Sequence, residues 1–65
     1  MNYERLHELD EKVLRYETAE SVLREIGGYY PERMAEVIIP ALAMVIATNN
    51  RTKVAITALE KEEQE

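Results

Sequence analysis

Met34-Ala-Glu-Val-Ile-Ile-Pro-Ala-Leu-Ala-Met-Val-Ile-Ala47 is the stretch whose reading decides the fold. Between Glu36 and Thr48 it holds no charged or strongly polar side chain, so a helix built from it is apolar on every side. Helices of that kind are normally buried all round, in a larger core or in a membrane. A chain of 65 residues is near the lower limit for closing a core without disulfides, a metal or a partner. It has no cysteine, so neither a disulfide nor a thiolate metal site relieves the shortage. The surplus of apolar surface therefore points to assembly.

Upstream, residues 2–26 read as one helix. Asn2 is placed to cap it, Glu4 sits in the first turn where the helix dipole favours an acid, and Met1 is in reach of Leu6 as a staple. Leu6, Leu9, Val13 and Tyr16 follow helical three-four spacing, and Ala19, Leu23 and Ile26 resume it after a step of three, which implies local overwinding. The opposite face offers Glu8 to Lys12 and Glu11 to Arg15 in the favourable i,i+4 order. Gly27-Gly28 then supplies a C-cap and turn, with Arg24 in the last turn. Pro31 suits the first position of the next helix, and Tyr29 can staple onto Met34. Helices joined by so short a link are antiparallel neighbours. A turn at Gly28 sets side by side residues whose numbers sum to about 57, which pairs Leu23 with Met34 and Val13 with Met44.

Pro40 inside the apolar run predicts a kink within Glu36 to Pro40, or a break there. Downstream, Thr48-Asn49-Asn50 either carries the second helix onward or breaks it into a third helix capped by Asn50. A continuous helix would overhang the first from about Val54 onward. A third helix would cover the run with a thin face of alanine and threonine. The expected fold is thus a single all-α domain over residues 1–65, an antiparallel helical hairpin with an acidic, frayed end at 60–65. It is expected to dimerise into a helical bundle through Val37, Ile38, Met44, Val45, Val54, Ile56 and Leu59.

Charge and motif content narrow the function. The net charge is −5, and residues 31–53, with two acids and three bases, are the one mildly basic part. With a pI near 4.8, duplex binding and anionic membrane surfaces are disfavoured. The uninterrupted run from Val37 to Ala47 is shorter than the roughly 20 residues of a membrane-spanning helix. The charged amino-terminal part does not resemble a secretion signal, so the chain reads as cytoplasmic.

No catalytic, cofactor-binding or metal-ligating set emerges, and the chain does not read as an enzyme. The single serine, Ser21, lies about four turns from His7, and Gly27-Gly28 lacks the lysine of a phosphate loop. Glu4-x-x-His7 has the spacing of a di-metal carboxylate bundle, but His7 reads more simply as an exposed partner of Glu11. Ala43 to Ala58 can be cut as a helix-turn-helix with its turn at Asn49-Asn50, and the acidic total argues against it. Tyr29 and Tyr30 are the candidate contacts for a partner, being large, stiff and amphipathic. The expected role is a small accessory factor, inhibitor or adaptor acting by protein–protein interaction, with no cofactor. A structural subunit of a larger helical assembly is the alternative.

Overall fold

The computed structural model describes the backbone of residues 2–64 and the side chains of residues 2–62. Two long helices, α1 (Tyr3–Tyr29) and α2 (Ile39–Gln64), lie side by side as a hairpin, joined by a 3-10 turn (Pro31–Arg33) and a π-helical turn (Met34–Ile38). The described residues contain no strand. Asn2 is the N-cap of α1: its Oδ1 accepts from the Arg5 amide at 3.0 Å, and its carbonyl accepts from Leu6 at 3.1 Å. Asn2→Ala should cost about 1 kcal/mol, read as a lower urea midpoint at fixed protein concentration. The staple expected from Met1 lies outside the described residues.

Gly27-Gly28 does not end α1. Both glycines are helical, neither has a positive φ, and the helix runs on to Tyr29. Tyr30 closes it, donating its amide to the Ile26 carbonyl at 3.0 Å and accepting from Arg33 at 2.9 Å. Arg24 is accordingly not in the last turn; its Nη2 lies 3.6 Å from Glu20 Oε2. The glycine at 27 serves close packing instead. A Cβ there would collide with Met34 Sδ and lie 3.2 Å from Ile38 Cγ2, whereas one at Gly28 meets nothing within 4 Å.

Moving the turn past Tyr30 changes the register. With Gly27 against Ile38 and equal rise along both helices, Leu23 comes level with Leu42, Tyr16 with Asn49 and Leu9 with Ile56; opposed numbers sum to about 65. The overhang expected from Val54 onward is therefore absent. Ile56 and Leu59 are half-buried along the contact between the helices, while Val54 is exposed.

The seam has strict three-four alternation on both sides: Leu6, Leu9, Val13, Tyr16, Glu20, Leu23 and Gly27 on α1; Ile38 at the end of the π turn, then Leu42, Val45, Asn49, Thr52, Ile56 and Leu59 on α2. Each of these residues is buried or half-buried. This is the seven-residue repeat of coiled coils. The overwinding expected at Ala19 is thus replaced by a regular repeat that takes Glu20 into the seam and ends on Gly27 rather than Ile26.

Pro40 is accommodated by the π turn before it, within the span where a kink is expected. Proline lacks an amide and its ring presses on the carbonyl four residues back, so a widened turn there relieves the clash. The Ile39 amide accordingly reaches the Met34 carbonyl, five residues away. The extra residue in that turn leaves Ala35 exposed and sets Met34, half-buried, under Gly27. Beyond Pro40, α2 continues unbroken through Thr48-Asn49-Asn50, so the third helix does not form. Glu60 to Gln64 extend α2, and the last residue of the expected acidic tail lies outside the described residues.

Candidate interaction surface

Labelling the seam positions a and d of a heptad places every other residue. In an antiparallel pair the g and c positions of both helices share one side of the hairpin, and the e and b positions share the other. On the g and c side, the half nearest the turn carries Ala19, Val22 and Ile26 from α1, Val37 from the π turn, and Ala41 and Met44 from α2. None is charged, and Val22, Ile26, Val37 and Met44 are 46, 40, 50 and 73% exposed. The open half of the same side carries Arg5, Glu8, Lys12 and Arg15 from α1 and Arg51, Ala55, Ala58 and Glu62 from α2. The e and b side is mixed along its length, with Asp10, Leu14, Glu17 and Arg24 facing Ile39, Ile46 and Lys53.

Against this outer surface the interior is thin. Leu9 and Ile38, each 4% exposed, are the hydrophobic residues that count as buried among the described ones. The hairpin measures 50 × 15 × 11 Å, with a radius of gyration of 15.0 Å where a compact chain of this length has about 11 Å. Two helices expose their outer faces by geometry, and a sequence with apolar residues on those faces leaves them in water.

The centre of the seam is polar. Asn49 is 7% exposed and its Oδ1 has no hydrogen-bond partner, although a buried polar atom left unpaired costs about 1 to 3 kcal/mol. Its neighbour Thr52 is satisfied, donating its hydroxyl to the Thr48 carbonyl at 3.1 Å. Thr18, Thr48 and Thr57 likewise donate to the carbonyls of Leu14, Met44 and Lys53 at 2.9, 2.8 and 3.1 Å. Thr48 Oγ1 also accepts from Arg51 Nη2 at 3.2 Å.

The residues expected to form a dimer interface separate into three groups. Ile38 is consumed within the hairpin, against Gly27; Val45, Ile56 and Leu59 are half-buried in the seam; Val37, Met44 and Val54 are exposed. Val37 and Met44 fall together on the apolar patch, whereas Val54 lies on the back of α2. Tyr29 and Tyr30 remain exposed, so Tyr29 does not bury itself as a staple on Met34. Ala19, Val22, Ile26 and Ala41 belong to the patch and are missed by sequence reasoning. The signal for them is the heptad, which identifies g and c positions once Glu20 is accepted in the seam.

Other candidate sites acquire no structure. His7 Nε2 lies 3.1 Å from Glu11 Oε1 with both side chains largely exposed, and no cluster of three or more metal-binding side chains occurs among the described residues. Glu8 takes Arg5 at 3.4 Å and not the expected Lys12, while Glu11 meets His7, as the plainer reading of His7 expects. A depression lined by Lys53, Val54, Thr57, Ala58 and Lys61 is walled by α2 alone and forms no cleft between elements. The turn required by a helix-turn-helix at Asn49-Asn50 is replaced by continuous helix. No described helix is long and apolar enough to cross a membrane. Among known proteins, no family model, curated protein or solved structure matches the chain.

Proposed function

We propose that this chain works by binding and not by catalysis: a small cytoplasmic accessory factor, inhibitor or adaptor that acts as a homodimer on another protein. The observation that carries the proposal is the uncharged patch of Ala19, Val22, Ile26, Val37, Ala41 and Met44, left in water by a hairpin with a thin interior. Contiguous exposed apolar surface on a small chain marks an interaction site. Exposed Tyr29 and Tyr30 beside it supply the amphipathic rings that recognition surfaces favour. Light scattering across a hundredfold range of concentration tests the self-association. The expected result is a constant dimer mass, and a constant mass of 7.5 kDa sinks the homodimer.

A structural subunit of a larger helical assembly is the second reading. It is favoured by Leu14 and Val54, exposed away from the patch. Growth of the scattering mass past the dimer as concentration rises would select it.

A further inference from the structure

We infer that the occupant of the apolar patch is a second copy of this chain, docked patch to patch so that the two turn ends lie together and the two open ends lie apart from the contact. This inference rests on the homodimer reading and adds to it the surface and the orientation. Three observations carry it. The first is area. The hairpin exposes 5089 Å², whereas a compact monomer of 7.5 kDa exposes about 4,250 Å². The surplus of about 800 Å² is what one partner buries in a standard interface.

The second is the distribution of charge along the same face. Its turn half has no charged residue, and its open half carries Arg5, Lys12, Arg15 and Arg51 together with Glu8 and Glu62. Two copies overlapped along their full length with turn ends opposed would set Ile26 and Val37 near Arg5 and Glu8, and Val22 and Met44 near Lys12. That arrangement desolvates charged side chains against apolar ones. Patch on patch buries apolar groups against apolar groups and leaves the bases in water. The third is self-complementarity: a two-fold contact brings the same surface from both sides, and a patch of small and medium apolar side chains from two helices meets that requirement without charge pairing.

The absence of cysteine makes the orientation measurable. Gly28→Cys introduces a single thiol at the turn end, where a Cβ meets nothing within 4 Å. With a spin label on it, pulsed electron–electron resonance reads the separation of the two turn ends in the dimer. Packed helices lie about 8 to 10 Å apart, so patch-to-patch docking predicts a label separation of about 20 to 30 Å. Full-length opposed packing puts the labels nearly the 50 Å length of the hairpin apart. A dimer mass with the long separation overturns this orientation and leaves the homodimer standing. A monomer mass at every concentration overturns both. Met44→Lys provides the second arm: it should weaken dimerisation at least about tenfold while helicity is kept, whereas Leu14→Lys on the other side should not. A dimer that tolerates Met44→Lys unchanged also overturns the assignment.

Discussion

Gly27→Leu is expected to lower the unfolding free energy by about 3 kcal/mol, while Gly28→Ala, one residue on, raises it by about 0.5 to 1 kcal/mol. The opposite signs follow from what surrounds two glycines with the same helical backbone. At position 28 an added methyl enters open space, and the gain is the ordinary helical advantage of alanine over glycine. At position 27 the first added carbon already collides with Met34 Sδ and crowds Ile38 Cγ2. Met34 is flexible and can yield to a single methyl, so Gly27→Ala is the milder change. A leucine must push Ile38 as well, and Ile38 is, with Leu9, a buried hydrophobic anchor among the described residues. Relief requires the helices to separate at the turn end, which loosens the layers next to it. Urea unfolding at one fixed protein concentration measures both variants, because association also contributes to stability. Equal and small effects at the two positions would show that Gly27 is not a point of close approach.

Asn49→Leu is expected to act in the other direction, raising stability by about 1 to 2 kcal/mol. The side chain lies in the middle of the seam, level with Tyr16, and its Oδ1 has no hydrogen-bond partner. Leucine has the same branching and removes the unpaired buried carbonyl together with the rest of the amide, so nothing polar is left behind. The gain has a counterpart in specificity. A single buried asparagine in a helical seam penalises every register that moves it against an apolar layer, and it sets partner number in the same way. With leucine at 49 the apolar layers of the seam can slip or recruit further copies at lower cost. Denaturant midpoint and solution mass, measured on the same samples, separate the two effects. A fall in stability would mean that the amide is paired in solution and contributes favourably.

Much of this architecture is legible in the sequence. The helical periodicity of Leu6 to Tyr16, the cap at Asn2 and the disturbance at Pro40 each have local causes, and each appears where its cause lies. The turn is not legible in the same way, because a glycine that ends a helix and one that admits a neighbouring side chain are written identically. Gly27 is of the second kind, and taking it for the first displaces the register by about eight in the sum of opposed numbers. That displacement creates the apparent overhang at Val54, and it assigns Ile56 and Leu59 to an outer contact when they belong to the seam. The clue lies in Glu20. A charged residue is unusual in a seam, yet accepting it makes the repeat regular from Leu6 to Gly27. Its carboxylate reaches Arg24 and so need not enter the interior. The apolar patch depends on all of this, since neither helix displays it alone. It exists where Ala19, Val22 and Ile26 are brought beside Val37, Ala41 and Met44, and only the correct register does that.

The threonine hydroxyls bear on how hydrophobic this protein is to an approaching neighbour. Thr18, Thr48, Thr52 and Thr57 each spend their proton on a carbonyl four residues back in their own helix. At Thr48, beside the patch, the oxygen is engaged a second time by Arg51. What such a residue offers outward is chiefly its methyl group, as a valine would. A mean hydropathy of −0.39 counts these hydroxyls as though they were free for water. Along α2, from Ile39 to Ala58, the surface is therefore oilier than its composition implies, and the helix itself has made it so.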